Sequence, residues 1–334
     1  MENKLTKKRL SDFLSYEWIF MIIIAVCAIL GWELIYHVSS VQLTTGQTFK
    51  YYYDETVVSV SNNDFIKELV NRQTFSYDVI RLNTEMLDSE NNVLASRLTI
   101  QEGDVIFTDA KGMDKTETVN GKERPVAVRA KSYVDNFSYK MYALDDMLED
   151  AKTYLRDNFI KDGQEISVSN IDDNKLEKTF RKRMKGDNRF RTEDQIRKGI
   201  KAERVRIEKL IANVDYFERF INDPANQDAL FKYTRFEQTY NRATTDASKE
   251  QYQEWMAQEK QKIYGINIGV LDEVGDGVDA TKILQLRKPE NEGDKLSKNV
   301  VLMVFDFKDY QPHLQYESLS FVCSTIQMLL GQTN

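Results

Sequence analysis

The side chains that most often carry out chemistry in proteins are few in this chain and far apart in the sequence. Its only histidines are His37 and His313, and its only cysteines are Cys27 and Cys323. A zinc site or a histidine-based catalytic triad needs several such groups at one place, and this pattern favours neither. Cys323 also falls in an apolar helical stripe, which is typical of a core position. We therefore expect no enzymatic activity and no metal or redox cofactor.

Phosphate and calcium motifs are weak as well. No glycine-rich loop with a Lys-Ser/Thr pair or a G-x-G-x-x-G spacing follows a predicted strand, so no nucleotide cofactor is expected. Asp272, Asp276 and Asp279 resemble a calcium loop, but Val274 occupies a ligand position and Ile283 replaces the final glutamate. A pair of carboxylates for glycoside hydrolysis remains an alternative, although the spacing singles out none of the 53 acidic residues.

The strongest candidates for a ligand site lie at the ends of three predicted strands. In an open parallel α/β sheet, ligands bind in the crevice beyond the carboxyl ends of the strands. The candidate residues are Tyr53, Asp54, Glu85, Thr108 and Asp109. A tyrosine ring can stack on a sugar face, and the carboxylates can accept hydrogen bonds from its hydroxyl groups. The alternative is that the tyrosines at 51–53 alternate into the core and the acids merely cap turns.

Three strands and two helices are predicted to position these residues. The strands, at 47–53, 75–82 and 104–108, are rich in aromatic and β-branched residues. Helices at 61–70 and 92–101 lie between them, each with one apolar stripe, and the second stops before Gly103. Alternation of strand and helix over about 60 residues is typical of a right-handed parallel α/β unit.

This stretch resembles the opening lobe of the solute-binding proteins of bacterial carbohydrate ABC transporters. The likeness rests on the aromatic first strand, on FSYDVIRL at 75–82 and on LASRLTIQEGDVIFTDA at 94–110. SYKMYALDDMLEDAKTYL at 138–155 is similar to a later segment of the family, so the resemblance covers about 47–160. It implies a periplasmic-binding-protein-like fold, a carbohydrate ligand and a permease partner. The chain departs from the family in carrying a transmembrane span, and a second lobe is hard to find.

The region from 109 to 170 is predicted to contain a polar loop or hairpin, a helix and a short strand. The loop or hairpin occupies 109–131, and 126–128 adds a short edge strand. Asp145 begins an amphipathic helix. Residues 165–169 then favour a strand that returns to the sheet or starts a second lobe.

From Lys175 to about Gly265 the apolar spacing predicts helices. The first runs over 196–221 and is terminated by Asp223 and Pro224. A second carries Leu230, Phe231 and Phe236, and a third, from Ser248 to Gly265, presents Tyr252, Trp255 and Met256. Strands at 280–286 and 299–307 and a closing helix at 315–330 complete the chain.

The start of the helical region is strongly basic. Between Lys175 and Lys209 there are fourteen Lys or Arg residues and six Asp or Glu residues. One interpretation is a solvated basic helix face. The other is a docking surface for anionic lipid, a wall polymer or a partner protein.

The segment at 17–38 predicts a membrane anchor. It contains an uncharged run from Trp18 to Trp32, and roughly 20 mostly apolar residues cross a bilayer core of about 30 Å. Four basic residues precede it within 4–9, whereas none follows before Lys50. This asymmetry predicts a cytoplasmic N-terminus and an extracytoplasmic C-terminal domain. A cleavable signal peptide is the alternative, but no small-x-small cleavage site precedes Ser39.

The composition of the chain indicates that the part outside the anchor is a folded domain of a bacterial membrane protein. The chain is 41% apolar and 30% charged, and its net charge of −7 disfavours nucleic-acid binding. Its two cysteines are separated by the membrane boundary, which excludes a disulfide framework and favours a bacterial product. The predicted organisation is a cytoplasmic tail at 1–16, a transmembrane anchor at 17–38, a linker at 39–46, an α/β lobe at 47–170, a helical insertion or second lobe at 171–265, and C-terminal strands with a closing helix at 266–334.

Three functions remain open at this stage. The first is a plasma-membrane-anchored solute-binding-like protein, an accessory of a carbohydrate ABC transporter. The second is a single-pass scaffold or interaction protein of a bacterial membrane complex, without a small-molecule ligand. The third is an extracytoplasmic hydrolase. The expected partners are the lipid bilayer, a permease or other membrane protein, and a carbohydrate, but no nucleic acid.

Overall fold

The structure, a computed structural model, describes residues 18–39, 47–54, 57–59, 62–87, 92–100, 102–110, 116–119, 122–125, 127–137, 140–277, 284–286, 299–306 and 312–332. The chain divides into two compact units, Met1–Thr44 and Thr45–Asn334. The first contains helix α1, Trp18–Ser39. Its stretch Trp18–Tyr36 is long and apolar enough to cross a membrane. No other helix among the described residues has this property. The same property is found in signal sequences.

The second unit is built on a seven-stranded sheet. Its strands are β1 Thr48–Asp54, β3 Arg81–Leu87, β4 Val105–Asp109, β7 Met141–Tyr142, β8 Leu230–Tyr233, β9 Lys262–Asn267 and β11 Val300–Phe305. The order across the sheet is β3-β1-β4-β11-β9-β8, and β7 also pairs with β11. Two small sheets accompany it, one formed by β2 Val57–Ser59 with β10 Leu284–Leu286, the other by the hairpin β5 Thr116–Val119 and β6 Lys122–Pro125.

Ten helices of this unit belong to the described residues. They are α2 Asn62–Asn71, α3 Asn92–Thr99, α4 Arg129–Phe137, α5 Leu144–Asn158, α6 Asp173–Arg183, α7 Glu193–Asn222, α8 Glu237–Arg242, α9 Asp246–Gln258, α10 Ile268–Val274 and α11 Pro312–Leu329. The predicted helices at 61–70, 92–101, 196–221 and 315–330 and the helix beginning at Asp145 are confirmed. In α7, Thr192 and Gln195 form a capping box at the start, and Asp223 caps the following turn.

The sheet is mixed, and the prediction of a parallel sheet holds for one half of it. Strands β3, β1 and β4 are parallel, because α2 and α3 provide the crossover connections that parallel neighbours need. On the other side of β4, the strands β11, β9 and β8 run antiparallel to their neighbours. These strands come from the C-terminal half of the chain, so no local sequence pattern indicates their direction.

Side chains of the strands alternate into two cores, one on each face of the sheet. Tyr51, Phe107 and Leu302 point into the larger core, which α5, α7 and α11 cover. Tyr52 and Met303 point into the smaller core beneath α3 and α4. Apolar burial on both faces stabilises the sheet by roughly 25 cal/mol per Å² removed from water. The helical segment at 171–265 therefore packs on the same core as the strands.

Several predicted strands were misplaced. The strand predicted at 75–82 begins only at Arg81, because Phe75 instead packs from a loop on Phe49 and Phe321. The strand predicted at 165–169 is wrong, since this region ends in a short 3₁₀ turn at Val168–Asn170. Of the predicted edge strand at 126–128, residue 126 lies outside the described residues and 127–128 precede α4 without regular structure.

One predicted helix was wrong, and the predicted end of another was too late. Leu230 and Phe231 belong to strand β8, and Phe236 precedes α8 in a left-handed conformation. The helix predicted to continue to Gly265 ends at Gln258, because Gly265 lies inside β9. A Cβ atom at Gly265 would lie 2.6 Å from the carbonyl oxygen of Leu302. The glycine therefore permits close approach of two strands where the sequence pattern indicated a helix end.

Candidate functional site

The register of the parallel strands brings most of the predicted site residues to one edge of the sheet. Tyr53 pairs with Met86 on β3 and with Phe107 on β4. Asp54 follows Tyr53, and Thr108 and Asp109 follow Phe107, so these four residues lie at the carboxyl ends of adjacent strands. The loops at 55–56, 88–91 and 111–115, which continue from these ends, lie outside the described residues.

The same residues are largely engaged within the protein. Tyr53 is partly buried and packs against the larger core, and Thr108 is fully buried. Asp109 is partly buried and has an interaction partner. Glu85 was predicted to follow a strand end, which is wrong, because it lies inside β3 and pairs with Tyr52. Its carboxylate lies 3.2 Å from the guanidinium of Arg97. The side chain of Asp54 lies outside the described part of the chain.

The tyrosines preceding Tyr53 follow the alternation considered above. Tyr51 and Tyr52 are buried in opposite cores. Burial, together with the negative charge of Glu102 and Glu85, raises the pKa of Tyr52. Its hydroxyl group is buried without a hydrogen-bond partner among the described residues. These two rings therefore pack in the cores and stabilise the sheet.

A partly exposed cluster of three aromatic residues, with Arg235 and Glu259 beside it, forms a second candidate site. We call Arg235, Phe236, Tyr252, Trp255 and Glu259 the aromatic surface. The rings of Phe236 and Trp255 lie 5.1 Å apart between centroids, and Tyr252 meets Trp255 edge to face at 5.4 Å. Trp255 is 40% exposed. Edge-to-face and tilted contacts at these distances are favourable arrangements of aromatic rings.

Helix α9 presents this surface and does not belong to the core. It starts after Thr245, whose side chain accepts a hydrogen bond from the backbone N–H of Ser248, and none of its residues is buried. Tyr252, Trp255 and Met256 lie three and four positions apart, so they occupy one side of the helix. That side contacts Phe236 and remains partly open to solvent.

Phe236 is held in an unfavourable backbone conformation. Its φ is +68°, in the left-handed region that aromatic residues rarely adopt. The carboxylate of Asp135 fixes the segment: it accepts hydrogen bonds from the backbone N–H of Phe236 at 2.7 Å, the Thr239 hydroxyl at 2.6 Å and the Tyr233 hydroxyl at 3.1 Å. Strain of about 1–3 kcal/mol persists only where surrounding contacts impose it. The ring is therefore positioned before any partner binds.

Arg235 supplies polar groups beside the rings. Its guanidinium carbon lies 4.7 Å from the centroid of Phe236, and its Nη1 donates a hydrogen bond to Glu259 at 3.0 Å. The Nε–H of Arg235 is buried and has no hydrogen-bond partner among the described residues. The surface thus combines flat apolar area with fixed polar groups.

Sequence reasoning assigned Phe236 to one predicted helix and placed Tyr252 and Trp255 on the apolar side of another, without a surface role. A signal that this apolar side is exposed is present in α9 itself, DASKEQYQEWMAQ. Its remaining positions are polar or small, so the helix lacks the wide apolar stripe of a core helix.

The basic segment has an inward and an outward side. On the inward side, Arg183 donates to Asp78 at 2.6 Å, and Arg206 donates to Glu203 at 2.8 Å. Tyr77 also donates to Glu203, at 2.9 Å. Asp78, Glu203 and Arg206 are buried. We call these five residues the buried ion network; it joins the loop before β3 to α6 and α7.

The charge of Glu203 is stabilised inside the protein. Burial alone would raise the pKa of this carboxyl, but Arg206, Arg183 and Tyr77 lower it to about 2. By contrast, burial raises the pKa of Glu317, which accepts a hydrogen bond from the backbone of Ser76.

Within the described part of the chain, neither candidate site contains a reactive thiol or a metal-binding cluster. Cys323 is fully buried in α11, and burial raises the pKa of its thiol. Among the described residues, no group of three or more His, Cys, Asp or Glu side chains is placed to hold a metal ion. Comparisons with protein-family models, with curated proteins and with solved structures find no match to this chain.

Proposed function

We propose that this chain is a single-pass membrane protein whose α/β domain docks a partner protein of the same membrane through the aromatic surface. The apolar helix Trp18–Ser39 would be the uncleaved anchor. The basic residues before it and their absence after it favour a cytoplasmic N-terminus and an extracytoplasmic domain. In this role the chain is a scaffold or interaction protein and carries out no catalysis.

The observation that carries the proposal is a preorganised cluster of Phe236, Tyr252 and Trp255 beside Arg235, in which Trp255 is exposed and the other two rings are partly buried. Tryptophan, tyrosine and arginine are the residue types that most often dominate the energy of a protein interface. Ordering flexible side chains costs free energy on binding. Because Asp135 already fixes Phe236 in its strained conformation, binding does not need to order this residue.

The surroundings of the aromatic surface indicate the chemistry of the partner. Between Glu237 and Glu259 there are five acidic and two basic residues. Glu250 and Glu254 are exposed on α9 next to the rings. An apolar segment flanked by lysine or arginine would bury its apolar side chains on the rings and place its cations near these carboxylates.

Site-specific photo-crosslinking tests the proposal. A photoreactive amino acid at Glu254 of the full chain, activated in native membranes, should give one discrete adduct with an integral membrane protein. Trp255→Ala should reduce the yield strongly, because loss of a hot-spot side chain costs about 2 kcal/mol or more. The matched control is Val168→Ala, which removes another exposed apolar side chain, 44% accessible, from a different part of the domain.

Two outcomes would contradict partner docking at this surface. One is an adduct whose yield is the same with Trp255→Ala as with Val168→Ala. The other is the same adduct from a photoreactive residue at Lys161, which is also exposed but lies outside the aromatic surface.

A second candidate function is a solute-binding-like accessory of a carbohydrate transporter. The parallel unit β3-β1-β4, with Tyr53 and Asp109 at its carboxyl edge, favours it. Calorimetry with a panel of oligosaccharides distinguishes the two functions. Saturable heat that Tyr53→Ala and Asp109→Ala abolish would support the transporter function, whereas binding that survives both substitutions would place a ligand elsewhere.

A further inference from the structure

The outward side of the basic segment carries cations that no internal acid neutralises. Of its fourteen basic residues, Arg183, Arg189 and Arg206 form ion pairs inside the domain, and Lys209 donates to the backbone carbonyl of Gln73. Four others, Lys175, Arg181, Lys198 and Arg204, form surface ion pairs. The remaining six are exposed and have no ion pair with the described residues: Lys178, Lys182, Lys185, Arg191, Arg197 and Lys201. We call them the cationic face.

Helix packing directs these residues outward. In α6, Leu176 and Phe180 are buried, and Lys178 and Lys182 lie on the opposite side, one turn apart. In α7, Arg197 and Lys201 likewise lie opposite buried Gly199 and Glu203. The two helices therefore present their cations on their solvent-facing sides.

Close contact between α6 and α7 joins the two sets of cations. A Cβ atom at Gly199 would lie 2.3 Å from the ring of Phe180 and 2.6 Å from that of Phe190, so only glycine permits this approach. At the surface, Arg181 donates to Glu193 at 2.9 Å, and Arg197 donates to the Glu193 carbonyl at 3.4 Å.

The charge of this region opposes that of the rest of the chain. Residues 173–205 contain twelve basic and six acidic residues, whereas the remainder contains 34 basic and 47 acidic ones. A protein of net charge −7 does not need a positive surface for solubility. Such segregation orients a molecule towards an anionic surface and keeps its other sides away from it.

We infer that the cationic face binds anionic phospholipid headgroups of the membrane, an inference that rests on the membrane anchor proposed above. Four of its six cations are lysines, and the two aromatic residues between them in the sequence, Phe180 and Phe190, pack against each other beside Gly199. Specific protein interfaces are depleted in lysine and rich in aromatic anchors. Mobile ammonium groups on flexible side chains suit a diffuse layer of phosphates, where bidentate recognition is not required.

A membrane anchor would keep the whole domain close to lipid headgroups. Seven residues, 40–46, separate the end of α1 from Gln47 in the sequence, and a chain of this length extends to at most about 30 Å. A short tether converts lipid binding into an intramolecular event with a high effective concentration. Each lysine near an anionic membrane surface contributes about 1 kcal/mol, or roughly a fivefold gain in partitioning.

Energy transfer in lipid nanodiscs tests this inference on the full chain. A donor dye is attached to Val205→Cys, which is 63% exposed on α7, in a Cys27→Ala background in which the remaining Cys323 is buried. The discs contain a trace of lipid whose headgroup carries the acceptor dye. We expect transfer to be higher in discs containing phosphatidylglycerol than in discs of neutral lipid, and high salt to remove the difference.

The charge variants decide which residues are responsible. Replacing Lys178, Lys182, Lys185 and Lys201 by glutamine should abolish the rise in energy transfer. The matched control replaces four exposed lysines elsewhere, Lys161, Lys232, Lys249 and Lys260, by glutamine, which changes the net charge equally. This control should retain the rise.

Two results would overturn the inference. Equal transfer in neutral and anionic discs would exclude headgroup binding and leave an acidic protein as the occupant of the face. An equal loss in both variants would show that only net charge matters. Neither result depends on the partner docking proposed for the aromatic surface.

Discussion

Helices α6 and α7 carry arginine on their inward side and mostly lysine on their outward side. Arg206 and Arg183 contact Glu203 and Asp78 through fixed, buried hydrogen bonds, whereas Lys182 and Lys201 extend into solvent. The planar guanidinium group suits buried, multidentate pairing, and the flexible ammonium group suits solvated contact. A basic stretch can thus stabilise the fold on one side and remain available for binding on the other.

The largest expected effect comes from breaking the inward side. Arg206→Ala should lower the free energy of unfolding by about 3–5 kcal/mol, because it leaves the carboxylate of Glu203 buried without its main partner. Urea unfolding can be followed by Trp255 emission in a Trp18→Phe, Trp32→Phe background. Arg197→Ala, on the outward side, is the control and should change stability by less than about 0.5 kcal/mol. Equal effects of the two variants would refute the distinction.

Acid should weaken the same inward side. The pKa of Glu203 is about 2 in the folded domain and near its ordinary value of 4.5 when unfolded. The stabilisation is therefore fully present above about pH 5 and is lost as pH falls towards 2, by about 3 kcal/mol in total. Comparing urea midpoints of the wild type and Glu203→Gln between pH 6 and pH 3 measures it. A wild-type pH dependence that Glu203→Gln leaves unchanged would assign the effect to other groups.

Removing an exposed ring should have a smaller effect on stability. Trp255→Ala should cost about 1 kcal/mol or less, because α9 buries no residue and part of the ring is already solvated. Phe180→Ala is the comparison, since Phe180 is fully buried against Phe190 and should cost about 3–5 kcal/mol. Circular dichroism during urea unfolding measures both. A loss above about 3 kcal/mol for Trp255→Ala would make the aromatic surface a structural element.

The smallest expected effect on stability belongs to the cationic face. Each of Lys178→Gln, Lys182→Gln, Lys185→Gln and Lys201→Gln should change the free energy of unfolding by less than about 0.5 kcal/mol. Slight stabilisation is expected at low salt, because neighbouring like charges are removed. The same denaturation measurement checks this, and a loss of more than about 1 kcal/mol in any single variant would show that its lysine pairs inside the fold.

The parallel unit β3-β1-β4 was predictable from the sequence because its signals are local. Helices α2 and α3 have one apolar stripe each, and the strand ends are marked by polar residues or glycine. The antiparallel half of the sheet was not predictable in this way. The direction of β11 beside β4 depends on pairing between residues nearly 200 positions apart in the sequence.

The two candidate sites also differ in whether the sequence predicted them. The register confirms that Tyr53, Asp54, Thr108 and Asp109 end adjacent strands, which the alternation of strands and helices predicted. The aromatic surface was missed because helical spacing makes a stripe of Tyr252 and Trp255 look like a core face. Whether a stripe is covered depends on tertiary packing, and in the part of the chain that the structure describes, Phe236 covers this stripe in part.

We propose that the aromatic surface binds a membrane protein and that the cationic face binds anionic phospholipid. The most direct measurement is quantitative co-purification from native membranes. It measures how much of the protein that crosslinks at Glu254 is retained by the full chain in its wild-type form and in two variants. We predict that Trp255→Ala loses this protein and that the four-lysine variant, with Lys178, Lys182, Lys185 and Lys201 replaced by glutamine, retains it at the wild-type level. Retention by Trp255→Ala together with loss from the four-lysine variant would contradict the account.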